Sequence, residues 1–124
     1  MNPYFLVFAG GALGSLARYA VSSSVAARLG PSFPYGTLAV NLIGGLLMGV
    51  LTGLLLRANA GENARLFFGV GILGGFTTFS AFSLDCWKLI DAGQFGLSFV
   101  YMAVSVLGAL AALMLGLWFV RVVV

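Results

Sequence analysis

Four hydrophobic segments, each long enough to cross a lipid bilayer, constrain this chain more than any other feature of its sequence. They cover about residues 4–27, 36–56, 66–89 and 95–121. A spanning helix needs about 20 mostly apolar residues. Charged residues make up 7% of the chain, against about 25% in soluble domains, so its surface is too apolar to face water. The sequence therefore predicts an all-α membrane protein with one domain of four transmembrane helices.

The few chemically reactive side chains argue against several kinds of site. Histidine is absent, Cys86 is the only cysteine, and the acids are Glu62, Asp85 and Asp91. A cage of metal-binding side chains, a disulfide framework or a Cys- or His-based catalytic pair is therefore not expected. The basic residues stand singly along the chain and form no patch for nucleic acid. We expect neither an enzyme nor a nucleic-acid-binding protein.

The third segment carries a polar cluster inside a stretch without charge. No charged residue lies between Leu66 and Leu84, yet residues 74–83 read GGFTTFSAFS. The glycine pair weakens a helix, and a helix that only faces lipid has no need of so many hydroxyl groups. Backbone that leaves the helical path at membrane depth is tolerated where it is buried in protein or lines a polar cavity. We therefore predict a break in the third helix between Gly74 and Thr78, where a polar species binds or crosses.

Polar residues in the other segments add candidates for the same site. Asn41 lies in the second segment, and Tyr101 and Ser105 lie one turn apart in the fourth. Their amide and hydroxyl groups can donate hydrogen bonds to an anion, but they can equally link helices or bond to their own backbone. Arg18 either extends to the lipid headgroups or places a cation in a water-filled vestibule. These alternatives stay open at the level of sequence.

Small residues recur at every fourth position on three of the segments. They are Gly10 and Gly14, then Gly45, Gly49 and Gly53, and finally Gly108, Ala112 and Gly116. This spacing lets helix backbones approach closely, so we expect these faces at helix contacts. Four short helices leave little room for a pathway inside one bundle, and we therefore expect the chain to form oligomers.

The basic residues give the chain no preferred orientation in the membrane. Four spans place both chain ends on one side. The two sides then carry Arg57, Arg65 and Arg121 against Arg28, Lys88 and, depending on its depth, Arg18. Orientation follows the Lys/Arg asymmetry of short loops, and here that asymmetry is almost absent. We expect insertion in both orientations and assembly into a dual-topology, antiparallel homodimer.

Three motifs resemble the Fluc family of fluoride channels, also called CrcB proteins. They are GGxxGxxxRY from Gly10, GTxxVNxxG from Gly36 and GxxGGFTTFSxFS from Gly71. The third motif is highly specific, and the resemblance covers all four segments. It implies two antiparallel fluoride pores between the subunits of a dual-topology dimer, in a bacterial inner membrane, that export fluoride and lower its concentration in the cell.

The resemblance also implies roles for individual residues. The implied pore residues are Phe79, Phe82, Asn41, Thr78, Ser80, Ser83, Tyr101 and Ser105. A structural Na⁺ at the dimer axis is implied at the backbone carbonyls of Gly74 and Thr77, and Arg18 is implied at the vestibule. Ala109 stands where some members carry a small hydroxyl residue, which shortens the expected polar track.

Two other functions suit a four-helix membrane protein of this length. A small multidrug transporter couples to protons through a carboxylate in its first helix, but the first segment here has no acid. Asp85 would have to take that role, and unaltered transport by an Asp85→Asn variant would reject it. A non-transporting assembly subunit would use the glycine faces to bind partner helices. It predicts no ion flux, and it leaves the hydroxyl cluster unexplained.

Overall fold

The computed structural model describes all 124 residues, and nearly the whole chain is helical. Helix α1 covers Pro3–Leu29 and α2 covers Tyr35–Ala58. The third span is divided into α3, residues 62–76, and α4, Phe79–Asp91. Helix α5 covers Phe95–Val123. Four helical spans are long and apolar enough to cross a membrane. The predicted four-span, all-α architecture is therefore confirmed, with helix ends that extend beyond the predicted ones by up to four residues.

Local signals in the sequence set the ends of the helices. The Asn2 side chain accepts a hydrogen bond of 2.8 Å from the Tyr4 backbone N–H, and Pro3 occupies the first turn of α1. Both are favourable at a helix N-terminus. Gly30 follows α1 with a φ of 83°, a conformation that glycine adopts without steric cost. Asn59 follows α2 in the left-handed region. Short connections of this kind place consecutive spans antiparallel.

Helix α3 is wider than an ordinary α-helix over most of its length. Arg65–Leu73 is π-helical and lies between single turns of α-helix at Glu62–Ala64 and Gly74–Phe76. Such helices are rare and usually limited to one turn. The widened backbone lies against α1, where a Cβ placed on Gly10 would be 2.9 Å from the Gly71 Cα. Because neither Gly10 nor Gly71 has a side chain, the two backbones can approach this closely.

The small-residue faces lie at helix contacts within the chain, as predicted. Helix α2 packs on α5, and a Cβ on Gly45 would lie 2.7 Å from the Ala109 carbonyl oxygen. A Cβ on Gly116 would lie 2.5 Å from the Leu46 carbonyl oxygen. On α1, Gly14 meets the backbone of α3 in the same manner. The fold thus consists of two closely packed helix pairs, α1 with α3 and α2 with α5.

The break in the third span occurs at Thr77 and Thr78, inside the predicted interval. Both residues have extended backbone, with ψ of 157° and 124°. Helix α3 ends where the Thr77 N–H and hydroxyl both donate to the Leu73 carbonyl oxygen at 3.0 Å. Helix α4 begins with Thr78 as its N-cap, because the Thr78 hydroxyl accepts from the Ala81 N–H at 3.2 Å. The predicted break is confirmed.

The close contact of α1 with α3 can be tested with two alanine substitutions on one helix. A Cβ on Gly14 would strike the backbone of Ile72, whereas a Cβ on Gly11 meets no atom within 4 Å. We expect Gly14→Ala to lower the free energy of unfolding by about 1–3 kcal/mol through overpacking. Gly11→Ala is the matched control and should leave stability equal or slightly higher. Thermal unfolding in detergent measures both, and equal stability of the two variants would contradict the packing.

Candidate functional site

A groove opens beside the helix break, between α2, α4 and α5. Its volume is about 380 Å³, and none of its lining residues is charged. Its polar lining comes from Asn41, Thr77, Thr78 and Ser105, and its aromatic lining from Phe79 and Phe82. The structure therefore brings together residues of three helices that lie far apart in the sequence. It offers hydrogen-bonding groups within a mostly apolar wall.

Asn41 is bound on both sides of its carboxamide to one residue of the break. Its Nδ2 donates to the Thr78 carbonyl oxygen at 3.0 Å, and its Oδ1 accepts from the Thr78 N–H at 2.8 Å. A primary amide has two N–H donors, so one remains for another acceptor. The structural alternative for Asn41, a link between helices, is thus realised, and it is compatible with a contact to an ion in the groove.

The two phenylalanines of the groove differ in exposure and form a pair. Phe79 is 76% exposed and Phe82 is 9% exposed. Their ring centroids are 5.5 Å apart, with an angle of 45° between the planes. Aromatic rings carry partial positive charge at their edges. The pair therefore offers a weakly electropositive wall beside the amide and hydroxyl groups.

Ser105 contributes a hydroxyl that has no partner within the protein. Its Oγ is the only buried side-chain nitrogen or oxygen atom without a hydrogen bond. Burying such a group without a partner is costly, and an unpaired one calls for an explanation. Ser105 is one of the residues that line the groove, so this unpaired hydroxyl belongs to the wall of the site.

Tyr101 lies behind Phe82 and does not line the groove. It is completely buried, and its ring packs on Phe82 with centroids 5.2 Å apart. Its hydroxyl donates to the Asp85 carboxylate at 3.1 Å. Asp85 also lines a second cavity of about 480 Å³ at the end of the bundle, together with Thr37 and Lys88. No local pattern in the sequence indicates the Tyr101–Asp85 hydrogen bond, which joins α4 and α5.

Three other predicted residues lie outside the groove. Ser80 and Ser83 lie on the exposed side of α4, and the Ser83 hydroxyl donates to the Phe79 carbonyl oxygen at 2.9 Å. Arg18 is half-buried on α1 and lines neither the groove nor the end cavity. Ser83 thus uses its hydroxyl within its own helix, the structural alternative for such residues.

The break diverts the hydrogen-bond donors that two carbonyl groups would have in a continuous helix. In such a helix the Thr78 N–H would bond to the Gly74 carbonyl, and the Ala81 N–H to the Thr77 carbonyl. Here the Thr78 N–H donates to Asn41, and the Ala81 N–H donates to the Thr78 hydroxyl. Gly74 and Thr77 are the two residues whose carbonyls were predicted to hold a cation. Their oxygens suit a hard cation, which prefers oxygen ligands.

The fold and the groove define a multi-pass membrane protein with an uncharged polar site at a helix break. Comparison with known proteins agrees with this description. The family model described as CrcB-like protein, Camphor Resistance (CrcB), matches residues 5–117. This chain therefore belongs to the CrcB family.

Curated relatives match the chain over nearly its whole length. The fluoride-specific ion channel FluC of Sphingopyxis alaskensis is 50% identical over 122 residues, which cover 98% of this chain and 97% of that protein. FluC of Caulobacter vibrioides is 50% identical over 123 residues, with the same coverage of both chains. FluC of Novosphingobium aromaticivorans is 48% identical over 123 residues, covering 98% of each chain.

The contribution of the Tyr101–Asp85 hydrogen bond to stability can be tested by removing the Tyr101 hydroxyl. Tyr101→Phe keeps the ring on Phe82 but removes the bond to Asp85, so we expect a loss of about 1 kcal/mol in the free energy of unfolding. Tyr19→Phe is the matched control, because Tyr19 is 72% exposed and its hydroxyl makes no hydrogen bond. Chemical or thermal unfolding in detergent compares the two variants. A Tyr101→Phe protein as stable as the control would show that the bond contributes nothing.

Proposed function

We propose that this protein is a fluoride channel of a bacterial inner membrane, which lets fluoride leave the cell and so lowers its internal concentration. Family membership and the relatives named as fluoride-specific channels support this. The observation that carries the proposal is the uncharged groove, in which an amide, an unpartnered hydroxyl and a pair of phenylalanine rings converge at a helix break.

The groove supplies donors that suit a small, strongly hydrated anion. Fluoride that enters a narrow pore must exchange its water for other hydrogen-bond donors. The free N–H of Asn41 and the hydroxyls of Ser105 and Thr78 are such donors. Ser80 and Ser83 extend the hydroxyl groups along the exposed side of α4, and Tyr101 supports the wall from behind. We assign the anion path to this set of residues.

The phenylalanine pair accounts for weak binding, which conduction requires. An ion must bind well enough to enter and weakly enough to leave. Ring edges attract an anion through the quadrupole of the ring, without the strong attraction of a buried lysine or arginine. Phe79 and Phe82 therefore replace water along the path without trapping the ion.

A second subunit completes the pore in this proposal. The groove lies at the surface of the chain, and Phe79 is 76% exposed although it belongs to the candidate site. A partner chain that covers this surface would enclose the path. The balanced Lys/Arg distribution permits opposite orientations of the two subunits, so we propose a dual-topology antiparallel homodimer with one groove from each chain.

We also propose that Na⁺ binds between the two subunits, at the Gly74 and Thr77 carbonyl oxygens. The diverted donors at the break free these oxygens for an ion. A bound cation would supply the positive charge that the partly negative carbonyl oxygens of Gly74 and Thr77 attract. The protein's part is to hold the extended backbone of Thr77 and Thr78 in place.

The fluoride proposal is tested by anion release from proteoliposomes that contain the purified protein. We expect fast fluoride release and little chloride release, because chloride is larger and the groove offers few, closely placed donors. Empty liposomes are the control. Release of neither ion from folded protein, or equal release of both, would overturn the proposal of a fluoride-selective channel.

The role of the ring edges is tested by Phe79→Ile and Phe82→Ile. Both changes keep apolar bulk but remove the electropositive edge, so we expect fluoride release to fall at least about tenfold, the effect of roughly 1.4 kcal/mol on the transport barrier. Phe95→Ile is the matched control, since Phe95 is 61% exposed on α5 and lies outside the groove. Flux equal to that of the control in both groove variants would refute the role of the rings.

The assembly is tested by labelling a single cysteine. Cys86 is buried, so a Cys86→Ser background with one new cysteine near Gly61 gives a defined site. An antiparallel dimer exposes this site on both faces of sealed vesicles, so an impermeant thiol reagent should label about half of it from outside. Labelling of nearly all or nearly none would contradict mixed orientation.

A further inference from the structure

We infer that Asn41 is a positioning residue that keeps the third span open at Thr78, besides any contact it makes with an ion. Its carboxamide bonds to both backbone groups of Thr78, at 2.8 Å and 3.0 Å. The Nδ2 group of Asn41 donates and its Oδ1 accepts, so the side chain bonds to the Thr78 backbone in the way that a neighbouring strand would. This inference depends only on those contacts, and it holds whichever anion the groove conducts.

The membrane environment explains why both of these hydrogen bonds are needed. An extended residue at membrane depth has an N–H and a C=O that find no water and no helical partner, and leaving such groups unsatisfied there is energetically costly. A continuous helix would satisfy Thr78 locally, by bonding its N–H to the Gly74 carbonyl. The open form therefore competes with helix formation. Asn41, which lies on α2, supplies the hydrogen-bond donor and acceptor that a continuous helix would have supplied to Thr78.

The neighbouring residue on α2 is also fitted to the open form. Gly44 lies one turn beyond Asn41, and a Cβ placed on it would collide with the Thr77 methyl group. Any larger residue there would push Thr77 out of its place. The same face of α2 thus holds Thr78 with an amide and leaves space for Thr77.

Because Asn41 holds the third span open at Thr78, two features of the site follow. The Thr78 hydroxyl is placed to cap α4, so that Phe79 and Phe82 begin a new helix with its own orientation toward the groove. The Gly74 carbonyl loses its usual donor. One side chain therefore links the aromatic wall to the proposed cation site, and the part that concerns Na⁺ rests on the proposed function.

The inference is tested on the Thr78 amide by NMR of protein labelled with ¹⁵N and ¹³C at threonine. The chain has only four threonines, Thr37, Thr52, Thr77 and Thr78, so assignment is direct. In the wild type we expect an extended Cα shift and a slowly exchanging amide at Thr78. An amide that exchanges at the rate of an unprotected group would overturn the inference without the use of any variant.

The decisive variant is Asn41→Leu, which keeps the shape of the side chain and removes both bonds. We expect exchange of the Thr78 amide to rise about tenfold, on the scale of one lost hydrogen bond, or the Thr78 Cα shift to become helical as the span closes. Either change shows that the carboxamide maintains the break. An unchanged rate together with an unchanged shift would overturn the inference.

Ser105→Ala is the matched control, because Ser105 lines the same groove but makes no bond to the break. It should reduce anion flux and leave the Thr78 signals unaltered, whereas Asn41→Leu changes those signals. If Asn41 acted only as an ion donor, the two variants would give the same result.

Exchange of K⁺ for Na⁺ separates the two proposals. If the carbonyl site binds Na⁺, the wild-type Thr77 and Thr78 signals shift with Na⁺, and Asn41→Leu weakens that response. A wild type without any response to Na⁺ would refute the proposed cation site. The role of Asn41 would still be decided by the exchange rate and the Cα shift.

Discussion

The requirement that backbone groups be hydrogen-bonded inside a membrane governs this structure. The helices meet that requirement through their own backbone hydrogen bonds, and the third span departs from helix at Thr77 and Thr78. There the chain needs donors and acceptors from elsewhere. It finds them in the Thr77 hydroxyl, the Thr78 hydroxyl and the Asn41 carboxamide. The features proposed for ion conduction, the groove and the freed carbonyls, exist because of this local departure from the helix.

Close packing of glycine faces brings the necessary elements together. Helix α2 lies backbone to backbone on α5, so that Asn41 and Ser105 can line one narrow groove. Helix α1 lies equally close to the widened helix α3, which carries the first half of the broken span. In a bilayer, association of helices depends on such packing and on hydrogen bonds between them, since lipid is as apolar as the side chains. The glycines therefore fix where the polar site is formed.

The site contains polar groups with hydrogen-bond partners in the protein and one buried hydroxyl without a partner. Asn41 and Tyr101 are bonded within the protein, to Thr78 and Asp85, and they hold the frame. The buried Ser105 hydroxyl has no hydrogen-bond partner, and Ser105 is one of the residues that line the groove. In the proposed channel, such a frame with an unpaired donor would avoid the cost of rearranging the protein on ion binding, which is the advantage of preorganised binding sites.

The sequence by itself determined the four spans through hydropathy, and the small-residue faces through small residues at every fourth position. It determined the interval of the break through the run Gly-Gly-x-Thr-Thr. All three are local signals. It also marked Asn41, Phe79, Phe82 and Ser105 as candidates. Only the tertiary structure decided that Asn41 bonds to Thr78 and that the Tyr101 hydroxyl turns to Asp85, away from the groove. These contacts join residues 37 and 16 positions apart, and a partner of that kind depends on how two helices pack, which no local pattern encodes.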